Sequence, residues 1–569
     1  MPAKPLSSHK FFLIPLLSLS FFLVVLVFSI RPFSANLNDI DRRLQSDNRP
    51  IDLIDDHAGN ITHPVWYDLV KEKLSSGRKI KVALVNLNDD VKGKYQVDES
   101  VAETVHVHFR PVSKELKWKN LFPEWIDEEH KWRAPRCPEI PMPPLDDDKY
   151  RGLDVVVAKV PCGTTSDKGG VRDVVRLQIN LVVANLVVEN GRIGDYDDDD
   201  EIDRTAYVVF VGSCGPMQEM FRCDDRVKHV GDYWVYKPEM RRLKQKVLMP
   251  VGSCQIAPPW SQTGKEIWRS FSKSKVNGTS NSRKEAYVTI LHSSESYVCG
   301  AIALAQSLRR TNTTRVLLLL HDNFLTTRSV RALRAAGWKT RLVHRIRNPF
   351  AKQNSYNEWN YSKLRVWQLT KYEKLIFIDA DLLVLRNIDH LFTYPQLSAA
   401  PNDRFIFNSG LMLVEPSVCA FEEMMGQSFK VKSYNGGDQG FLNEMFTWWH
   451  RWPSKVNKLK IFKKENAKRQ VGDDVYALHY LGWKPWICYR DYDCNWDMKD
   501  RWRFASDSAH EKWWEVYDLL PVELQRFCGL TEAMVTRMTK LRGRAENGSF
   551  SDRHWRIRIK DPRQYHLVQ

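Results

Sequence analysis

LIFIDADLLVL, residues 375–385, opens on four apolar residues that fit a strand buried on both faces, and the run stops at Asp379-Ala380-Asp381. Positions i and i+2 of extended chain project to the same side, so the two carboxylates converge on one point. Acids placed directly after a buried run cost free energy unless a cation compensates them. A divalent ion bridging them to a diphosphate would do so, and oxygen ligands of this kind suit Mn²⁺ or Mg²⁺. The competing reading of Asp379 and Asp381 is a strand-end turn carrying two solvated acids.

Outward from this stretch, strand-like and helix-like runs alternate. Residues 286–291 and 316–320 read as strands, and residues 297–308 and 329–336 read as helices with one apolar face. Such alternation predicts an α/β domain over residues 285–545 with a mostly parallel sheet, whose ligands bind beyond the carboxyl ends of the strands. Three further segments accompany the acid pair. FNSG (407–410) precedes an apolar run, NGGDQG (435–440) sets two glycines before Asp438 and Gln439, and LHYLGWKPW (478–486) offers His479 as a metal ligand and Lys484 as a cation for diphosphate. A lone histidine is more often structural than a ligand, but here a glycine-containing turn and a lysine follow it.

Upstream, strand-like runs at 79–87, 153–160 and 207–212 surround a helix-like run at 171–188. They predict a smaller α/β domain over residues 79–269, whose role the sequence leaves open. A Ser/Lys/Asn-rich stretch, 270–284, reads as the linker between the two. The acidic run 195–203 lacks the spacing of a calcium loop and reads as solvated. Residues 546–569 read as a C-terminal tail.

The N-terminus carries FFLIPLLSLSFFLVVLVFSI, residues 11–30, with no charge. Twenty helical residues span about 30 Å, the thickness of a bilayer's hydrocarbon core. Lys4 and Lys10 precede the run without a nearby acid, which predicts a cytosolic tail (1–10), a single transmembrane signal anchor (11–30) and a lumenal stem (31–78). A cleaved signal peptide fits less well, because the apolar run is long and Arg31-Pro32 interrupt the place of a cleavage site. All ten cysteines follow the anchor, as an oxidising compartment allows, and Cys214/Cys223 and Cys488/Cys494 are near enough in sequence to pair. Five glycosylation sequons begin at Asn60, Asn277, Asn312, Asn360 and Asn547. The formal net charge of +16 suits attraction of anionic ligands such as nucleotide sugars or acidic polysaccharide, or else a solvated basic surface. No basic helix or zinc finger supports a nucleic-acid partner.

YSKLRVWQL (361–369), IDADLLVLRNID (378–389), FNSGLMLVEPS (407–417), NGGDQGFLNEMF (435–446) and HYLGWKPWICYRDYDCNW (479–496) together resemble the glycogenin-like retaining glycosyltransferases of family 8. Within that family they are similar to the plant xylan glucuronosyltransferases, also called plant glycogenin-like starch initiation proteins. The resemblance covers about residues 284–490 and says little of residues 31–270. It implies a GT-A fold, UDP-glucuronate as donor, a xylan or xylo-oligosaccharide acceptor, and a single-pass type II protein of the Golgi membrane. Its catalytic domain would be lumenal, alongside other polysaccharide-synthesising enzymes. Asp379, Asp381 and His479 would hold Mn²⁺, with Mg²⁺ as the substitute. Tyr297 would stack on uracil. Lys363 and Asp438 would be catalytic, and donor contacts would fall to Ala380, Asn408, Ser409, Gly410, Asn435, Gly436, Gly437, Asp438 and Gln439. The run of His479, Tyr480, Leu481, Gly482, Trp483 and Lys484 would complete the nucleotide side. In glycogenin the stretch from this histidine to the lysine is one residue longer, which leaves the reach of Lys484 open.

Retention requires a carboxylate nucleophile, for which Asp438 is the candidate, or same-face attack guided by the leaving phosphate. Selecting glucuronate requires a cation for its carboxylate, and Arg365 and Lys352 are candidates, although a structural salt bridge is the plainer reading of Arg365. Trp483, Trp486, Trp496, Trp502, Trp513 and Trp514 line an acceptor groove or cap the core. A glycan on Asn360, three residues from Lys363, would block the site, so that sequon is expected to be unmodified. Two other functions fit less of the sequence: a self-glucosylating primer enzyme, against which the anchor speaks, and a non-catalytic Golgi scaffold, against which the intact acid pair, His479 and Lys484 speak.

Overall fold

The computed structural model describes residues 63–74, 78–87, 94–121, 138–145, 148–162, 172–190, 206–248, 284–403, 405–462, 469–561 and 563, all within one compact unit, His63–Gln569. The cytosolic tail, the anchor, most of the stem, the acidic run and all but the last residue of the linker lie outside them. No helix among the described residues is long and apolar enough to cross a membrane.

The first sheet contains β1 (Ile80–Val85), β2 (Ala102–Val107), β3 (Val155–Lys159), β4 (Tyr207–Val211), β5 (Arg226–Val230) and β6 (Tyr233–Tyr236). Its order is β2-β1-β3-β4-β6-β5, parallel through β4 and antiparallel beyond. The helix expected at 171–188 is Val174–Asn190, and it is buried almost all round rather than on one stripe. A helix apolar on every side belongs inside a core, and this one sits in a hydrophobic cluster that runs from Ala83, Val156 and Phe210 of the first half into Val288, Phe377 and Trp448 of the second. Its polar residues are matched: Gln178 donates to the Arg110 and Pro141 carbonyls at 2.9 and 2.8 Å, and Asn190 accepts from Leu153 N–H at 2.6 Å.

Further joints tie the halves together. Cys223 is bonded to Cys419, Arg222 pairs with Glu415 at 2.7 Å, Ser417 donates to Asp224 at 2.7 Å, and Glu219 accepts from the Thr447 and Trp448 N–H groups at 3.1 and 3.2 Å. The expected pair Cys214/Cys223 therefore does not form. Cys214 joins Cys162, and the Cα separations of 5.5 and 6.1 Å, not nearness in sequence, select these partners. Cys488 and Cys494 do pair, and Cys299 joins Cys528.

The second sheet contains β7 (Glu285–Leu291), β8 (Val316–His321), β9 (Lys339–Leu342), β10 (Lys374–Ile378), β12 (Ser398–Pro401), β13 (Phe407–Val414) and β14 (His450–Arg451), in the order β14-β12-β13-β10-β7-β8-β9. The strands β7 to β10 are parallel as expected, but β13 runs antiparallel to β10 and β12 antiparallel to β13, so the sheet is mixed. This reversal is what positions the site. It pairs Ile378 with Leu411 and brings Gly410 beside Asp379, whose N–H donates to the Gly410 carbonyl at 2.8 Å. A three-stranded ribbon of β11 (Leu382–Val384), β15 (Lys458–Leu459) and β16 (Ala477–His479) sets Leu382 opposite His479.

Trp486, Trp513 and Trp514 are buried in one core cluster, and Trp483 and Trp496 in another with Tyr489 and Tyr492. The aromatic-rich segment thus caps the core. Residues 546–569 are more than a tail: Asp561 and Arg563 are buried, and Arg563 donates to the Trp486 and Cys528 carbonyls at 3.1 and 3.0 Å.

Candidate active site

Asp379 follows β10, Asp381 precedes β11, and His479 ends β16, so three short elements deliver three ligand groups to one place. Their candidate ligand atoms all lie within 4.8 Å of one another. His479 Nε2 is 3.3 Å from Asp381, while its Nδ1 is buried without a protein partner. A ring nitrogen left bare in the interior is costly unless something binds it. Gly410 keeps this point open: a Cβ there would stand 2.5 Å from His479 Cε1, 2.8 Å from Asn408 Oδ1 and 3.0 Å from Asp379 Oδ2.

The two acids are unlike. Burial pushes the Asp379 carboxyl above its ordinary range, and Asp381 and Asp438 nearby add to this against the opposing Lys363. Burial alone would do the same to Asp381, but the Lys484 ammonium and His479 beside it hold its carboxyl well below the usual carboxylate range. Lys484 Nζ lies 2.6 Å from Asp381 Oδ2, so it reaches the acid pair.

A second cluster lies next to the first. Lys363 is buried, 2.6 Å from Asp438 and 3.3 Å from Asp379, and it donates to the Ser409 carbonyl at 3.2 Å. Asp438 opens the helix Asp438–Met445, where a negative charge suits the N-terminal end of the helix dipole. It also accepts from Ser409 Oγ at 3.0 Å and from Asn360 Nδ2 at 3.1 Å. Gln439 accepts from Ser409 N–H at 3.2 Å. The Asn360 amide is thus built into the site wall.

Of these groups Asp379, Asp381, Lys363, Asp438 and Asn360 line a cleft of about 540 Å³, together with Tyr297 and Ala380, while His479 and Lys484 stand behind Asp381. Tyr297 packs edge-on against Trp486 with centroids 5.7 Å apart, and burial, then Asp381, pushes its hydroxyl above the ordinary range.

Two family models match the chain: the GUX1-5 N-terminal domain over residues 59–254 and glycosyl transferase family 8 over residues 288–488. The chain is 50% identical to UDP-glucuronate:xylan alpha-glucuronosyltransferase 2 of Arabidopsis thaliana, over 89% of this chain and 85% of that one. It is 42% identical to alpha-glucuronosyltransferase 1 of the same group and organism, over 88% and 74% respectively. The chain belongs to the UDP-glucuronate:xylan alpha-glucuronosyltransferase family. Among solved structures, the galactosyltransferase LgtC with donor and acceptor sugar analogs aligns with 43% of this chain and 99% of its own, at 17% identity and a TM-score of 0.31.

In this glucuronosyltransferase-family chain, not every residue named from sequence presents a side chain to the cleft. Asn408 is engaged with Gly410 N–H and Asn457, at 2.9 and 3.0 Å. Asn435 shapes its own loop by accepting from Gly437 and Gly440 N–H, and Gly436, at φ 64°, accepts from Asn348. Tyr480 points into the core, where its hydroxyl donates to Ala509 at 2.8 Å. Leu481 closes a turn onto the His479 carbonyl. Gly482 has φ 79° and no room for a Cβ, with Asn495 Oδ1 at 2.3 Å, and Trp483 is buried under Arg537. Arg365 lies elsewhere, bonded to the His344 carbonyl and Gln368, two neutral acceptors in place of the expected salt bridge, and neither it nor Lys352 lines the cleft. Sequence reasoning missed His292, Arg345 and Trp359, which do line it. For Trp359 the polar and aromatic run just before Lys363 was the available signal; His292 and Arg345 carried none.

Proposed function

We propose that the chain is a GT-A-type, retaining enzyme that transfers a glucuronosyl unit from UDP-glucuronate to a hydroxyl of the xylan backbone, with its catalytic domain in the Golgi lumen behind a type II membrane anchor. Half-identity to a xylan glucuronosyltransferase over most of both chains supports the donor and acceptor, and the apolar run 11–30 supports the anchor. The observation that carries the chemistry is the convergence of Asp379, Asp381 and His479 within 4.8 Å.

That donor set, two carboxylates and an imidazole with a bare buried nitrogen, fits Mn²⁺ or Mg²⁺. When bound there, the ion would supply Lewis-acid stabilisation of the negative charge on the departing UDP. The protein's own groups do the rest. Lys484, paired with Asp381 at 2.6 Å, would supply a second positive charge against the diphosphate. Lys363 fixes Asp438 in place at 2.6 Å. Asp438 receives bonds from an ammonium, a hydroxyl and an amide, which weakens it as a nucleophile and suits it to orienting the sugar. This supports same-face attack as the route to retention.

The test is a transfer assay with several UDP-sugars on xylo-oligosaccharides, with and without Mn²⁺. Metal-dependent transfer from UDP-glucuronate, giving an α linkage, is the expected result. Equal transfer from UDP-glucose, or label attached to the protein itself, would overturn it. The glycine at the centre gives a second check. Gly410→Ala pushes a methyl into His479 and Asp379, and ångström-scale misplacement costs about 10²-fold in rate. A Mn²⁺ titration of transfer is expected to show that loss together with a raised metal requirement.

A further inference from the structure

Resting on the donor proposed above, the geometry points to Arg345 as the residue that recognises the carboxylate of a hexuronate donor. A donor with an acid at C6 adds one negative charge to a cleft that already presents Asp379, Asp381, Asp438 and Glu358. Only two cationic side chains line that cleft among the described residues, Lys363 and Arg345. Lys363 is clamped between Asp438 and Asp379, with both of its acids within 3.3 Å. His292 also lines it, and burial pushes its imidazole below its ordinary range, which disfavours a charge there.

Arg345 is differently placed. Its nearest acid, Asp322, stands 3.5 Å away and already accepts from two backbone donors, Ser293 N–H at 2.8 Å and Phe324 N–H at 3.0 Å. Asp322 is thus held by two backbone donors, and Arg345 adds only a longer ion pair through Nε. Arg345 makes one hydrogen bond, to Ser293 Oγ at 3.2 Å, and its side chain keeps about a third of its surface exposed towards the cleft. The guanidinium lies 4.2 Å from the centroid of Trp359, which fixes its plane without using its N–H groups. A planar fork held in one orientation matches a carboxylate through two parallel bonds, as a lysine cannot.

Its position suits the sugar. Trp359 adjoins Asn360, which bonds Asp438, and His292 lies within electrostatic reach of Asp438 and Lys363 as well as of Asp322 and Arg345. One wall of the cleft thus carries the orienting acid and, farther along, an unsaturated guanidinium. Arg365 and Lys352 do not reach this wall.

The test compares Arg345→Ala and Arg345→Lys with the unmutated enzyme. For each, kcat/KM with UDP-glucuronate and with UDP-glucose is measured by UDP release, and binding of both donors by calorimetry at saturating Mn²⁺. The selectivity ratio for the hexuronate is expected to fall about 10- to 100-fold in Arg345→Ala, the range of a charge-assisted bond, with Arg345→Lys recovering part of it. An unmutated enzyme without preference for UDP-glucuronate would defeat the underlying donor reading. A preference that persists unchanged in Arg345→Ala, or equal losses with both donors, would defeat the assignment of Arg345 alone.

Discussion

Asp381→Asn is expected to lower xylan-directed turnover by about 10³-fold, roughly 4 kcal/mol of transition-state stabilisation, while the protein stays folded. Asp381 is the acid that the fold holds ionised. Lys484 at 2.6 Å and His479 at 3.3 Å offset the cost of its burial, whereas Asp379 is pushed towards its neutral form. Asparagine keeps the shape and still offers an oxygen to Lys484, so the packing of β11 against β16 survives. What it removes is the charge that would hold a divalent ion against diphosphate, and Lys484 then repels that ion unopposed. Two measurements separate this loss from misfolding. The thermal midpoint should fall only in part, because Lys484 keeps the Tyr480 carbonyl and the new amide oxygen as acceptors, and calorimetry should show UDP binding that no longer tightens when Mn²⁺ is added. Retention of more than a tenth of the activity would remove Asp381 from the metal site.

The acid pair was legible because its logic is local: a buried strand that ends in two like-facing carboxylates reads the same in one dimension as in three. So did the strands and helices around it, within a residue or two. Longer-range partners were not readable from periodicity. Nothing in residues 407–414 says that β13 runs backwards along β10, yet that reversal sets Gly410 against Asp379. His479 reaches the acids only through a ribbon whose strands lie about a hundred residues apart in sequence. Its candidacy came from neighbouring residues and from family resemblance. Cys223 illustrates the same limit, because its partner 196 residues away is chosen by the packing of two sheets. Arg365 was the candidate because it stands beside Lys363 in sequence, and only the fold shows that Arg345 is the one that meets the cleft.

Arg563→Ala is expected to destabilise the enzyme by about 3–5 kcal/mol, the cost of leaving a buried charge without its partner. Arg563 is 1% exposed and Asp561, its partner, 3%. The guanidinium bonds Asp561 at 2.7 Å and the carbonyls of Trp486, Cys488 and Cys528, and it stacks over Trp514 at 4.2 Å. Alanine strands the carboxylate and three backbone acceptors together. Lysine restores a charge but not the fork, so Arg563→Lys should recover only part of the loss. The double variant Arg563→Met with Asp561→Asn should lose less than Arg563→Ala, because the uncompensated charge is gone. The effect should also reach the cleft. Trp486, whose carbonyl Arg563 holds, donates its indole N–H to the Ser296 carbonyl at 2.7 Å and packs against Tyr297. Loosening it lets the cleft wall that carries Tyr297 shift. A lower thermal midpoint is therefore expected together with a raised KM for the UDP-sugar. A chain ending at residue 560 should show both effects, and an unchanged midpoint in that chain would return residues 561–569 to the status of a tail.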